Sequence, residues 1–132
     1  MVVSGQAPPA APTKAALEAT TIEKVKDNLY IITGSAAANQ EAFSGGNTAV
    51  FIGSDGVTLV DTKLPNWGPT ILERVKKVTD KPVVRIINTH SHGDHTGSNP
   101  AFVGPKVQSV VHENTKTNMT RMPEYMGEPV HV

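Results

Sequence analysis

A mixed α/β (α+β) fold, with helices laid against a sheet, is what this sequence predicts, and three observations carry the prediction. Short β-branched runs separated by turn residues fill its first half. One strongly amphipathic segment, Pro65 to Asp80, follows them. Val83 to Asn88 then reads Val-Val-Arg-Ile-Ile-Asn, the largely apolar text of a buried strand. Antiparallel strands first, then a strand–helix–strand–helix order, is the pattern of a sheet with helices packed on it.

In chain order, Thr21 to Val25 and Leu29 to Thr33 flank the turn pair Asp27-Asn28 and read as a hairpin. Gly34 to Gly46 is small and polar, a loop. Asn47 to Ile52 and Val57 to Asp61 are two further strands around Gly53-Ser54-Asp55-Gly56, a strong tight-turn signal. In the Pro65 to Asp80 helix, Gly68-Pro69 supplies the start. Ile71, Leu72, Val75 and Val78 share a face at helical spacing, and Glu73 and Lys77 form an i,i+4 pair on another. Lys81-Pro82 ends it. After the Val83 to Asn88 strand, a short helix starts at Asn99-Pro100, Val107 to Val111 is a strand, and Glu113 to Arg121 is a second helix of weak periodicity. Pro123 to Val132 carries no pattern. Trp67, the single Trp, suits packing near a helix start. Met119, Met122 and Met126 suit helix or tail packing.

The chain has 132 residues, which suits one domain with a modest core. Lys+Arg and Asp+Glu both number 12, so no basic face is available to steer nucleic acid or an anionic membrane. No apolar run approaches the roughly 20 residues of a membrane helix. Cysteine is absent, which removes disulfides, thiolate ligands and a Cys nucleophile and leaves His, Asp and Glu as strong ligands. Residues 1–19 read as a disordered Ala/Pro-rich leader, and 20–132 as the folded part. The stretch Met1 to Pro12 also suits the remnant of an exported protein, so a periplasmic or secreted location stays open beside a cytoplasmic one.

The chemistry concentrates in His90-Ser91-His92-Gly93-Asp94-His95, three His and one Asp within six positions. On an extended loop, residues two apart face the same side, so His90 and His92 can pinch one cation. Asp94 and His95 are adjacent, point elsewhere, and suit a neighbouring ion. Gly93 and Gly97 are read as points where the backbone turns sharply. Imidazole and carboxylate without thiolate suit Zn2+ first, one or two ions, with Fe or Mn as alternatives. A structural zinc site would fill four positions from paired motifs, and no partner pair of that kind exists here.

With this motif the sequence resembles the metallo-β-lactamase fold superfamily, whose His-x-His-x-Asp-His stands here at His90, His92, Asp94 and His95. Asn88-Thr89 before the motif, Thr96-Gly97-Ser98-Asn99 after it, Thr58-Leu59-Val60-Asp61-Thr62 and Asn47-Thr48-Ala49-Val50-Phe51 match the family's text as well. The resemblance runs from Thr20 to Arg121. It implies an αββα sandwich, here its N-terminal half, with the site at one edge between two sheets. It implies that His90 and His92 bind a first zinc and that Asp94 and His95 bind a second. It gives Asp94 a catalytic role in orienting the attacking hydroxide, and Asp61 the task of holding the metal loop by hydrogen bonds. The family also uses a third His on the first zinc, a further Asp or Cys and a final His. The residues after His95 contain no such segments. His112 and His131 are read as non-ligands.

The expected function is therefore a zinc-dependent hydrolase of a small-molecule ester, thioester or β-lactam, incomplete and weakly active or inactive as this chain. The other reading is a non-catalytic metal-binding fragment or interaction module that pairs with another chain. Half a sandwich leaves an apolar sheet face open, so self-association through that face is expected. No other motif competes. Gly45-Gly46-Asn47 lacks the Lys-Ser/Thr of a phosphate loop, and Ser44, Ser91 and Ser98 stand in no nucleophile elbow.

Overall fold

The computed structural model describes residues 10–121. Within them one six-stranded sheet runs in the order β1 to β6. Its strands are β1 (Ile22–Lys26), β2 (Leu29–Ile32), β3 (Thr48–Ile52), β4 (Val57–Val60), β5 (Val83–Asn88) and β6 (Gln108–Val111). β1 through β4 pair antiparallel, whereas β4–β5 and β5–β6 pair parallel. This is the predicted α/β class. Asp27-Asn28 closes the first hairpin, and the Gly53 N–H donates to the Gly56 carbonyl at 2.9 Å across the β3–β4 turn.

A parallel pair needs a crossover, and α2 (Gly68–Lys76) supplies it between β4 and β5. Trp67 is its N-cap and Pro69 lies in its first turn. α2 is shorter than the predicted Pro65–Asp80. Asn66 takes a φ of 70°, which a helix cannot continue. At the other end the Lys77 N–H reaches back to Arg74 and Val75, tightening the last turn and closing the helix. α3 (Gly93–Thr96) and a 3-10 turn (Asn99–Ala101) lie between β5 and β6, and α4 (Glu113–Met119) follows β6. The Glu113–Arg121 segment thus ends two residues early.

The structure corrects the reading of residues 1–19 as a disordered leader in its described part. Lys14–Ala19 is a helix, α1, whose Thr13 cap accepts from the Ala16 N–H at 3.0 Å. Ala16 is buried, and the Arg74 guanidinium donates to the Leu17 and Thr20 carbonyls at 2.9 Å each, satisfying the end of α1 from a distant helix. Residues 1–9 and 122–132 lie outside the described residues, and with them the expectations for the N-terminal remnant, His131, Met122 and Met126.

Strand residues alternate between two faces. Ile32, Val50, Val57, Leu59 and Ile86 join Ala16, Trp67, Ile71, Val75 and Phe102 in one core, so α1, α2 and the 3-10 turn cover the same face. Met119 is also buried. The opposite face carries a cross-strand row Ile31–Ala49–Val60–Ile87–Val110, all half-exposed. Next to it runs Leu29–Phe51–Thr58–Arg85–Gln108, in which Phe51 is 44% exposed. None of the described helices is long and apolar enough to cross a membrane.

Candidate metal centre

The loop with the His cluster leaves the C-terminal end of β5, beside the end of β4. Asn88 ends β5, Thr89 to His92 are irregular, and His92 caps the short turn α3. His90 and His92 lie together, their ring centroids 4.8 Å apart, and the turn also brings His95 to His90, at 4.2 Å between ring centroids. Two overlapping triads result, Asp61–His90–His95 and His90–His92–Asp94, each with its donor atoms within 4.8 Å of one another. The Asp94 Oδ2 lies 3.5 Å from His95 Nε2. All four motif side chains thus converge on one region, with His92 exposed and the other three half-buried.

Asp61 is buried at the end of β4 with φ 64°, and its carboxylate reaches the loop as expected of it. It accepts from the Thr89 N–H at 2.8 Å, from the Thr89 hydroxyl at 2.7 Å, and pairs with His95 Nδ1 at 2.7 Å. A carboxylate only accepts, so His95 carries a proton on Nδ1, and in the neutral ring Nε2 is bare. The same reasoning extends one residue further. The Thr89 hydroxyl proton is committed to Asp61, so its oxygen accepts from His90 Nδ1 at 2.9 Å and His90 Nε2 is bare as well. One buried carboxylate therefore sets the tautomer of two imidazoles, one directly and one through Thr89. A bare Nε2 backed by an Nδ1–H hydrogen bond is the form in which histidine binds a metal.

Below the loop lies a buried polar layer. The Asn88 and Asn99 amides bond each other at 2.7 and 3.2 Å, and the Thr62 hydroxyl donates to Asn99 at 2.7 Å. The His95 carbonyl accepts from the Thr62 N–H at 2.8 Å and the Asn88 amide at 3.3 Å. The Ser98 hydroxyl donates to the Leu64 carbonyl and accepts from the Trp67 N–H, tying α2 to the loop. Sequence reading named none of Thr62, Thr89, Asn88 or Asn99 as site residues. The signal available was an Asn ending an otherwise apolar strand.

Two expectations need adjusting. Gly93 is not among the residues with positive φ, and Gly97 has a φ of −59°. What Gly97 supplies is room, since a Cβ there would strike Pro65. The sharp backbone is instead at Gly45, with φ 101°, where a Cβ would come within 2.6 Å of the Asp94 carbonyl oxygen. His112 is explained without a metal: it caps α4, its Nδ1 accepting from the Asn114 N–H at 3.1 Å.

The donor set suits a divalent cation: three imidazoles and a carboxylate, two of the imidazoles with Nε2 bare and held in place from behind. Comparison with known proteins points the same way. A family model described as the metallo-beta-lactamase superfamily matches residues 43–132. A curated metallo-beta-lactamase type 2 of Elizabethkingia meningoseptica is 35% identical over 97 residues, covering 67% of this chain and 36% of the relative. A metallo-beta-lactamase of Pseudomonas aeruginosa, solved in a mono-zinc form, superposes with a TM-score of 0.64 at 19% identity over 77% of this chain and 46% of its own. A stereoselective inverting sec-alkylsulfatase from Pseudomonas sp. gives a TM-score of 0.57 at 22% identity, over 68% of this chain and 14% of its own. The chain thus spans about a third of the curated relative and less than half of each of these solved structures.

Proposed function

Because this chain belongs to the metallo-beta-lactamase superfamily, we propose that its His90–His95 loop holds zinc, with iron or manganese as alternatives, and serves the hydrolysis of a small-molecule ester, thioester or β-lactam. The observation that carries the reading is the convergence of His90, His92, Asp94 and His95 in two triads that share His90. Zinc held there supplies Lewis acidity and a water-derived nucleophile at neutral pH.

The chain's own residues do the rest. His90 and His95 present Nε2, held by Thr89 and Asp61. His92 is the most exposed of the four. Asp94 is half-buried beside His95 Nε2, where its carboxylate orients the attacking water and takes its proton. The Asn88–Asn99–Thr62 layer holds the His95 carbonyl so that the side chains of this loop keep their aim.

The test is a zinc titration against a chromophoric chelator, followed by assay on a chromogenic β-lactam and a thioester with and without chelator. Weak zinc binding that falls further in His90→Ala and Asp94→Ala is expected, with slow turnover that the chelator abolishes. Zinc binding with no turnover would make the chain a metal-binding module. Zinc binding unchanged in both variants would refute the site.

A further inference from the structure

Lys63 is the one group near this centre that the reading above leaves without a task. It is fully buried, yet no carboxylate lies within salt-bridge distance among the described residues. Its ammonium donates to the Ser44 hydroxyl at 3.1 Å and the Gly46 carbonyl at 3.0 Å. Its backbone has a φ of 64°, in the left-handed region that a long side chain rarely occupies. A buried charge with only neutral partners and a strained backbone are two separate costs in one residue. Such costs persist where the surrounding structure uses them.

The use lies in what Gly46 touches. The Gly46 N–H donates to the Asp94 carbonyl at 2.8 Å, and a Cβ built on Gly46 would collide with the His95 ring. The Gly46 main chain is therefore the wall against which the His95 imidazole rests, while Asp61 holds the ring's Nδ1. Gly45 and Gly46 have no side chains to anchor them. The Lys63 ammonium is the side-chain donor that fixes the Gly46 carbonyl from inside. The Lys63 carbonyl in turn accepts from the Gly97 N–H at 2.9 Å, and the Ser44 carbonyl accepts from the Leu64 N–H at 3.1 Å. Lys63 thus stitches residues 44–46 to the end of the metal loop.

We propose that Lys63 is a positioning residue that fixes the Gly46 carbonyl, and with it the Gly46 main chain, against His95 and thereby aims His95 Nε2 at the metal centre. The metal half of this statement rests on the proposed function; the positioning of His95 does not. The His90 ring bonds Thr89 and not the Gly46 main chain, so the effect falls first on His95 and leaves the His90 tautomer in place.

The experiment uses the full chain without metal. Multiple-bond proton–nitrogen spectra report the tautomer and the number of states of each imidazole. The expected wild-type result is one His95 state with the proton on Nδ1. In Lys63→Met the His95 signals should split or shift toward a tautomer mixture, with His90 unchanged. Gly46→Ala, which moves the wall with Lys63 intact, should do the same, whereas Ser44→Ala, which leaves the Gly46 bond, should stay close to wild type. Should Lys63→Met fail to fold, Lys63→Leu, which also removes the donor to the Gly46 carbonyl, carries the same readout. His95 signals unchanged in the folded Lys63 variant overturn the proposal. So do His90, His92 and His95 changing alike, since that marks a general structural role. Zinc is then titrated into the same samples. Binding that depends on His95 should weaken about tenfold in Lys63→Met, the scale of an outer hydrogen-bond partner. If His95 responds as expected but no variant or wild type binds zinc, the metal reading fails and the positioning stands.

Discussion

Asp61 presents one buried carboxylate to three donors, and through Thr89 its influence reaches a fourth group, the His90 ring. Thr89→Val keeps the shape of the side chain and deletes the hydroxyl, so His90 Nδ1 loses its acceptor and Nε2 is no longer held bare. Zinc affinity is expected to fall by about 10–100-fold, as for other outer partners of metal-binding histidines, while Thr89→Ser retains it. Competition with a chromophoric chelator measures both, and equal affinities for Thr89→Val and wild type would rule the relay out. Lys63 gives a second prediction at this scale. Burial lowers its pKa from 10.5 to about 8. Below about pH 8 both folded and unfolded chains carry the proton, and the desolvation cost is felt in full. Between about 8 and 10.5 the unfolded chain binds more protons than the folded one, so this group makes stability rise with pH. At roughly 1.4 kcal/mol per unit, the rise approaches about 3 kcal/mol across that window. Urea unfolding of wild type and Lys63→Met through this range measures it. The difference between the two should grow with pH in favour of wild type; a flat difference would mean that Lys63 is not desolvated.

Among the elements, α2 shows how much local pattern can decide. Ile71 and Val75 fall on the predicted face and are buried at 0% and 2% exposure, so Ile71→Ala should cost about 2–5 kcal/mol, the range for emptying a packed core position. Urea denaturation reads this directly, and a cost under about 1 kcal/mol would show that the α2–sheet contact is loose. The six strands were legible for the same kind of reason: β-branched runs are bounded by Asp27-Asn28, Gly53–Gly56 and, before β5, Lys81-Pro82, and each break is local. α1 was not legible. Lys-Ala-Ala-Leu-Glu-Ala consists of good helix formers, but six residues are too few to form a helix alone, Pro-rich text precedes them, and the carbonyls at the end of the helix are satisfied by Arg74, far along the chain. The metal loop was legible as a ligand set because ligand chemistry is written in residue type. The closeness of His95 to His90 was not, because the α3 turn that sets it depends on the Thr62, Asn88 and Asn99 bonds beneath it. Lys63 and Thr89 read as ordinary polar residues until the fold buries one and aims the other.

For the molecule as a whole, the sheet has two unlike faces. One is covered by α1, α2 and the 3-10 turn. The other offers the row Ile31–Ala49–Val60–Ile87–Val110, nearest the metal loop, and beside it Leu29 and Phe51. The second row turns polar toward β6, where Arg85 bonds Thr58 and Gln108 and pairs with Asp55. The outer strand β1 carries Glu23, Lys24 and Lys26, which discourages strand-to-strand growth at that edge. Association is therefore expected through the face and not through the β1 edge. A second copy of this chain, meeting apolar row with apolar row, is the occupant that the protein alone in solution can supply. Sedimentation velocity across a broad concentration range should show the sedimentation coefficient rising with concentration. Ile87→Lys places an ammonium at the centre of the apolar row, where an interface would have to desolvate it, and should hold the chain monomeric. Phe51→Lys lies in the outer row, where a long side chain can keep its charge in water, and should weaken association less. Because Ile87 is adjacent to Asn88 on β5, the same samples must also be titrated with zinc. Ile87→Lys should leave zinc affinity unchanged, since its side chain points away from Asn88 and the buried layer under the loop. A wild type that stays monomeric at every concentration would show that the half-exposed row is stable in water by itself.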